Sequence, residues 1–523
     1  MKNHHKDVWI GVEDKTQDPE FIESLSQEFK QLPIVESITD EKTLDVSSNR
    51  RDFLKYLGFG LGAATLAASC DIPVKRAIPY VTKPDEIVPG VANYYASAIV
   101  QGGDYCPVLV KTREGRPIKI EGNSMSSMTG GGTSARAQAA VLSLYDSSRL
   151  RGPSKMEGGE LKPATWDELD KAATVSLSSA KNIRILSNTI LSPTAKNAVE
   201  EFTQKYPTAK LVQYDPSSSS AMLLANENSF GKKVVPNYHF NKAEVIVGVG
   251  ADFLGTWISP IEYAKAYAEN RKINNKKKTM SFHVQVESGM SLTGSNADNR
   301  IQVKPSEQGA AIAYLYNEVA KLTGGSTISA PSLNAKATAA LCKLAGKLAG
   351  AKGKSLVVSG SNNTAEQVIV NKINYLLDNY GNTLDFGAYS LQRQGVDKDV
   401  NDLVADMNAG RVDALIVWGA NPAYDLPNAA EFVAGLENVQ TSISMNSVGD
   451  ETASLCSWQA PASHNLESWG DVEAKAGQYA LVQPTISPLF DTRQAEASIL
   501  VWSGSSNYNM EADQPMYDYL KKG

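Results

Sequence analysis

The chain has 523 residues, of which 42% are hydrophobic and 21% are charged, a composition typical of globular protein with two or three domains. Its formal net charge of -6 argues against nucleic acid as a partner. The four cysteines form no CxxC pair and the five histidines are dispersed, so local spacing predicts no iron–sulfur or zinc site. The basic run 276–278 is interpreted as a solvated helix end or turn.

An export signal is predicted near the start of the chain. Arg50 and Arg51 precede a short apolar run, 56–68, in the pattern typical of a twin-arginine signal, which directs folded chains across a membrane. The run is well below the roughly 20 residues that a membrane-spanning helix requires. We therefore expect a leader over residues 1–69 and a site of action outside the cytoplasm. The alternative is a buried N-terminal helix with a chance arginine pair.

Cys70 follows Leu66-Ala67-Ala68-Ser69, which resembles a lipoprotein cleavage box. Cleavage there would leave Cys70 as an acylated N-terminus that anchors the chain to lipid. Four prolines lie between residues 73 and 89, and proline blocks regular helix. Residues 70–93 are therefore predicted to form an extended arm that tethers the rest of the chain.

A small β-rich domain is predicted over residues 94–164. The apolar segments 107–112 and 117–121 flank Arg113-Glu114-Gly115-Arg116, and a Glu-Gly pair at this position favours a tight hairpin turn. A loop rich in glycine and serine follows. Its end leads into residues 135–144, whose alanine and leucine content predicts a helix.

The remainder of the chain contains an internal duplication. Apolar strand segments recur with similar polar residues after them: 183–186 with 356–358, 245–252 with 414–422, and 281–286 with 441–445. Strands that alternate with helices predict an α/β fold, here two Rossmann-like parallel-sheet units. We place the first unit at 165–330 and the second at 351–523, joined by an alanine-rich helical connection at 331–350 in which Cys342 is expected to be a core residue.

Each repeat has one strand that ends in a glycine and a short polar residue. These two tips are Gly250, Ala251 and Asp252 in the first repeat, and Gly419, Ala420 and Asn421 in the second. Tips at the carboxyl ends of parallel strands can bring backbone N–H groups close to a phosphate. Neither tip is a GxGxxG, so a glycine that closes a loop beside a polar helix cap explains the pattern equally well.

Several segments together resemble the molybdopterin oxidoreductases of the dimethyl-sulfoxide-reductase type, which carry paired guanine-dinucleotide pterins. The landmarks occur in that family's order, at 113–123, 144–150, 165–169 and 418–422. The family usually holds a four-iron cluster before the hairpin, yet the matching region 94–106 offers Cys106 alone. The segment that would supply a molybdenum ligand corresponds to Asp215, Pro216 and the serines 217–220, which also read as a solvated loop.

Over the twin-arginine segment, the arm 79–90 and residues 94–97 together, the chain is similar to a narrower family, the B subunits of alternative complex III, a bacterial quinol oxidoreductase. The resemblance implies a region that has lost its cofactor, so the tips are vestigial pterin loops and no residue is catalytic or binds a metal. It implies a fused ferredoxin-like domain with iron–sulfur clusters, which we expect after residue 523. It also implies integral membrane quinol-binding subunits and multihaem and monohaem cytochrome c subunits as partners, at the periplasmic face of the bacterial inner membrane.

Two other functions fit parts of the sequence. The first is a working molybdenum enzyme in which one of the serines 217–220 ligates the metal and the two tips hold pterin dinucleotides. The second is an exported lipoprotein that captures a small solute between two α/β lobes. Fold-level likeness alone cannot separate an enzyme from a scaffold.

Overall fold

A computed structural model of the chain describes Ile87, Val88 and residues 90–523. Arg50, Arg51 and Cys70, and with them the predicted leader and most of the predicted tether, lie outside the described residues. Within the described part, no helix combines the length and the apolar character needed to cross a membrane.

The described elements alternate strands and helices after an initial run of three strands. The strands are β1 (Ala92–Gln101), β2 (Asp104–Arg113), β3 (Arg116–Gly122), β4 (Ser154–Glu157), β5 (Glu160–Pro163), β6 (Ile183–Ser187), β7 (Ala209–Gln213), β8 (Val235–Tyr238), β9 (Val245–Val249), β10 (Phe282–Glu287), β11 (Asn299–Gln302), β12 (Ser355–Ser359), β13 (Leu384–Ser390), β14 (Ala414–Trp418), β15 (Thr441–Ser444), β16 (Trp458–Gln459), β17 (Gly470–Lys475) and β18 (Gln478–Val482). The helices are α1 (Ala135–Ser143), α2 (Trp166–Ser179), α3 (Pro193–Lys205), α4 (Ser220–Phe230), α5 (Pro260–Arg271), α6 (Leu292–Ser295), α7 (Gln308–Thr323), α8 (Ala335–Gly350), α9 (Thr364–Leu376), α10 (Asp397–Asn408), α11 (Pro422–Asp425), α12 (Ala429–Leu436), α13 (Ala495–Ser503) and α14 (Pro515–Leu520).

Strands β1, β2 and β3 form an antiparallel sheet, which confirms the predicted β-rich region. Glu114 and Gly115 have φ values of 51° and 75°, as a two-residue hairpin turn between twisted strands requires. Helix α1 follows where the sequence predicts it. Its N-cap is the Ser134 side chain, which accepts a hydrogen bond from Ala137 N.

Two parallel sheets form the body of the fold, which confirms the predicted α/β class. One sheet has the order β5-β4-β16-β15-β14-β6-β7, in which β16, β15, β14, β6 and β7 are parallel. The other has the order β11-β10-β9-β12 and is parallel throughout. Helices cover these strands, so β9 and β12 are buried along their whole length. A separate antiparallel sheet has the order β18-β17-β13-β8.

The two repeats exchange their first strands. Strand β6 of the first repeat pairs with β14 of the second, while β12 of the second repeat pairs with β9 of the first. Both sheets therefore contain the same arrangement, β6-β14-β15 in one and β12-β9-β10 in the other. The predicted boundaries 165–330 and 351–523 do not separate the sheets. The hydrophobic pattern indicates that a strand is buried on both faces, but it does not determine which parallel strand pairs with it.

Helix α8 falls inside the predicted connection 331–350 and packs against the four-stranded sheet. Its buried residues are Ala337, Leu341, Leu344, Ala345 and Leu348. Cys342 is exposed on the other side of this helix, so the prediction that it belongs to the core is wrong. The helical period places Leu341 and Leu344 inward and turns the two residues between them, Cys342 and Lys343, outward. Cys106, Cys342 and Cys456 are free thiols.

Candidate functional site

The tip after β9 is closed by its own polar residue. Gly250 has a φ of 62°, a left-handed conformation that suits glycine. The Asp252 carboxylate accepts hydrogen bonds from Thr293 N at 2.9 Å and from Thr293 Oγ1 at 2.7 Å. The same hydroxyl accepts from Leu254 N at 2.9 Å. Asp252 therefore fastens the β9 loop to the loop that follows β10.

The tip after β14 repeats this arrangement. Gly419 has a φ of 61°, and Asn421 Oδ1 accepts from Thr452 N at 3.2 Å and from Thr452 Oγ1 at 2.7 Å. Thr452 Oγ1 accepts from Ala423 N at 3.0 Å. Each tip thus pairs its polar residue with a threonine of the next loop, and the threonine pairs with the backbone two residues beyond the polar residue. The duplication extends to individual hydrogen bonds.

The two tips differ in the space around them. A Cβ built on Gly360, which follows β12, would lie 2.2 Å from the Gly250 carbonyl oxygen, so the two backbones are in direct contact. Gln308 also covers Gly250, and the cavity beside this tip is only about 130 Å³. By contrast, a Cβ on Gly419 would meet no atom within 4 Å. The cavity beside the β9 tip is below the roughly 300 Å³ of a typical ligand pocket, so this tip is more crowded than the β14 tip.

A cavity of about 300 Å³ lies at the carboxyl ends of β6 and β14. Trp418 and Trp469 are partly buried in its walls. The Asp471 carboxylate contributes to the wall while accepting hydrogen bonds from Ser192 Oγ at 2.5 Å and Thr194 Oγ1 at 2.7 Å, at the start of α3. Burial raises the pKa of Glu496 above its ordinary value, and the nearby Asp471 adds to the effect. An acid in this cavity is therefore biased towards its neutral form.

The serine segment 217–220 faces several directions. Ser217 is exposed and lines a central cavity of about 740 Å³. Ser218 Oγ accepts from Ser220 N at 3.0 Å, and Ser220 Oγ accepts from Asp397 N at 3.2 Å. Ser219 and Ser220 are buried at the start of α4. Only Ser217 is thus placed to reach a group in the central cavity.

Cys106 also lines the central cavity, and burial raises the pKa of its thiol to about 11. A thiol in this state is neutral near pH 7. Within residues 87–88 and 90–523, no cluster of three or more His, Cys, Asp or Glu could hold a metal ion.

Arg393 and its surroundings are functional candidates that the sequence analysis missed. Its guanidinium is buried, donates to Gly102 O at 2.5 Å and pairs with Asp104, which also pairs with Arg136. Burial raises the pKa of Asp104, although both arginines oppose the shift. Arg393 has a φ of 58°, and backbone strain of this kind occurs often at functional sites.

Asp215 lies beside this group and holds three segments together. Its carboxylate accepts from Thr189 Oγ1 at 2.6 Å, Gly395 N at 2.9 Å and Thr189 N at 3.2 Å. A Cβ on Gly103 would lie 3.0 Å from Asp215 Oδ1, so the β1–β2 turn presses against the same carboxylate. The sequence analysis singled out the segment that contains Asp215, but nothing near Arg393 forms a motif that could have identified it.

This combination of sheets and site defines a molybdopterin-oxidoreductase-like fold, as the sequence landmarks predicted. Among solved structures, the chain is similar to acetylene hydratase from Pelobacter acetylenicus, with a TM-score of 0.60 and 11% identity over 78% of this chain and 69% of the other. At that identity the likeness concerns the fold alone.

Among curated proteins, the chain is similar to the menaquinone reductase, molybdopterin-binding-like subunit of Nitratidesulfovibrio vulgaris strain Hildenborough. The two are 25% identical over 507 residues, which cover 87% of this chain and 72% of the relative. No protein-family model matches the chain. The predicted resemblance to the molybdopterin oxidoreductases is confirmed, together with a relationship to a respiratory quinone reductase subunit.

Proposed function

We propose that the chain is a cofactor-free molybdopterin-oxidoreductase-like scaffold in a membrane-bound respiratory quinone oxidoreductase, of the alternative complex III type. In this role it supports an iron–sulfur domain that carries electrons from quinol toward cytochrome c or an oxidase. It would be exported by the twin-arginine route and anchored through an acylated Cys70. One acyl chain gives marginal membrane affinity, so partner subunits must supply the rest.

The observation that carries the proposal is the similarity to the molybdopterin-binding-like subunit of a menaquinone reductase, and the closure of the two strand tips is compatible with it. Asp252 and Asn421 are the polar groups that a pterin dinucleotide would be expected to meet, and both accept hydrogen bonds from threonines of the same chain. A second support is the direct backbone contact between Gly360 and Gly250. The proposal therefore gives these residues the task of fixing loops in a scaffold.

A working molybdenum enzyme is the second candidate, because Ser217 is exposed to a cavity of about 740 Å³. A hydroxyl in that position could become a metal ligand if the cavity accepted a cofactor. The distinction between the two candidates is chemical, since a scaffold has no use for molybdenum or tungsten and an oxidoreductase of the second kind has no activity without one of them.

The test is the metal content of the protein isolated in mild detergent from its native membrane, with the co-purifying subunits identified in the same sample. Iron and haem in the complex without molybdenum or tungsten are expected. Near-stoichiometric molybdenum or tungsten that is lost in Ser217→Ala and kept in Ser218→Ala would overturn the scaffold in favour of the enzyme. Purification as a monomer without haem or membrane subunits would also contradict the proposal.

A further inference from the structure

The amino-terminal edge of the four-stranded parallel sheet, formed by the first residues of its strands, lies opposite the β9 tip. Strands β9, β10 and β12 are parallel, so their first residues meet at one edge. There, Phe282 N donates to Glu244 O at 2.8 Å and Glu244 N donates to Lys354 O at 2.6 Å. The loop 272–281, which joins α5 to β10, extends from this edge.

Hydrogen bonds within the loop and to the end of α5 fix its conformation. Asn274 Oδ1 accepts hydrogen bonds from Lys276 N and Lys277 N, each at 2.9 Å. The Lys277 ammonium folds back onto the end of α5 and donates to Asn270 Oδ1 at 2.7 Å and Asn270 O at 2.8 Å. Lys277 therefore has a structural role, and its neighbours Lys276 and Lys278 are held exposed on the outer side of the turn.

Three acidic groups near this edge have cationic partners, whereas Glu269, three residues before Lys272, accepts a hydrogen bond from Asn241 Nδ2 at 3.0 Å. Glu244 pairs with Lys354 at 2.9 Å, Asp298 with Arg271 at 2.8 Å, and Asp378 with Lys352 at 3.0 Å. In the part of the chain that the structure describes, no ion pair neutralises the exposed lysines 272, 276 and 278. A chain with a formal net charge of -6 thus presents uncompensated positive charge at this loop.

Two large apolar side chains accompany the lysines. Ile273 is 58% exposed and Met280 is 47% exposed, and they lie on either side of the basic run. Exposed aliphatic side chains among unpaired lysines suit the boundary between lipid headgroups and acyl chains. There the aliphatic side chains become buried and the lysines meet headgroup phosphates. A free anion would account for the lysines but not for the apolar pair.

We propose that the loop 272–281 docks onto an anionic lipid surface, with Lys272, Lys276 and Lys278 on headgroup phosphates and with Ile273 and Met280 inserted among them. This proposal rests on the proposed function only because it requires a membrane. Its other grounds are the charge of the lysines and the exposure of the loop side chains. It also orients the scaffold, since the β9 tip at the carboxyl end of the same sheet then faces away from the lipid.

The test measures binding of the full chain to vesicles of phosphatidylcholine alone and of phosphatidylcholine with phosphatidylglycerol. All variants carry Cys70→Ser, so that no acyl chain contributes and the leader is common to every sample. Lys276→Gln with Lys278→Gln should weaken binding to the anionic vesicles about 30-fold, because each lysine near such a surface contributes on the order of 1 kcal/mol. Ile273→Ser should weaken it further, and higher salt should weaken the parent chain.

The matched control is Lys232→Gln with Lys233→Gln, a pair of exposed lysines elsewhere on the chain. It removes the same charge and should leave vesicle binding at the parent level. Equal losses in the two double variants, or binding to neutral vesicles of equal strength, would overturn the proposal. So would unchanged vesicle binding with loss of a co-purifying subunit, which would assign the loop to an acidic protein. None of these outcomes depends on metal content, which tests the scaffold separately.

Discussion

The β9 and β14 tips have the same hydrogen-bonded closure but very different surroundings. At both, a glycine with φ near 60° precedes a polar residue that accepts from the N–H and the hydroxyl of one threonine. At the β9 tip the backbone of Gly360 and the side chain of Gln308 fill the space, whereas the β14 tip opens onto a cavity of about 300 Å³.

The comparison teaches that a polar residue at a strand end need not indicate a ligand. Glycine and a short polar residue are required to turn the chain and to satisfy the backbone of the next loop, whether or not space remains beside them. Because the hydrogen-bonded closure is the same at the filled and the open tip, the residues that form it reflect the duplication of the fold. The space around the two tips has diverged independently.

The largest expected difference between the tips comes from adding a methyl group. Gly360→Ala should cost about 3 kcal/mol of unfolding free energy, because its Cβ would lie 2.2 Å from a backbone oxygen that cannot move away. Gly419→Ala should cost only about 1 kcal/mol, the price of a left-handed φ at a site with open space. Urea unfolding of both variants measures the difference, and equal costs would show that the β9 tip is not filled.

The two threonines give a smaller and more specific contrast. Thr293→Val and Thr452→Val each remove a fully buried hydroxyl and keep its shape. The first should cost about 2 kcal/mol and the second about 1 kcal/mol, since one hydroxyl donates to a carboxylate and the other to an amide oxygen. Thermal unfolding checks both values. A larger loss for Thr452→Val than for Thr293→Val would contradict the expected advantage of a carboxylate acceptor.

The smallest effect concerns Glu496 in the cavity at the β14 tip. Its pKa is raised above the ordinary 4.5, so the folded state binds its proton more tightly than the unfolded state does. The stability from this proton is complete below pH 4.5 and is lost as pH rises through the folded-state pKa.

Glu496→Gln should therefore be slightly more stable than the parent at neutral pH, by about 0.5 kcal/mol, and equal to it at pH 4. Unfolding titrations at several pH values compare the two chains. A Gln variant that follows the parent at every pH would show that this acid is well solvated. Asp471→Asn is unsuitable as a control because Asp471 also holds the start of α3.

The sequence predicts individual strands and helices of this fold well. The apolar segments at 245–249 and 414–418 are each followed by a glycine, so both the hydrophobic pattern and the position of the turn agree with the observed β9 and β14. The exchange of β6 and β12 between repeats could not be predicted, because it depends on long-range pairing among strands with nearly the same composition.

The candidate site was predicted less completely than the fold. The tips could be located because the turn after each strand requires a positive φ, which favours glycine at that position. Arg393 could not, since its role comes from contacts with Gly102 and Asp104, which are distant in sequence. The twin-arginine signal, the lipid anchor at Cys70, the narrower family and the periplasmic location stay predictions.

The exchange of first strands also constrains how the chain can acquire its structure. Neither parallel sheet can be completed from one repeat, because β6 needs β14 and β9 needs β12 as neighbours. During synthesis the β6 segment, which ends at Ser187, has β7 nearby but must wait for β14, which begins only at Ala414. Such long-range pairing slows folding and leaves apolar strands unpaired in the meantime, so the nascent chain depends on protection from aggregation until both repeats are present.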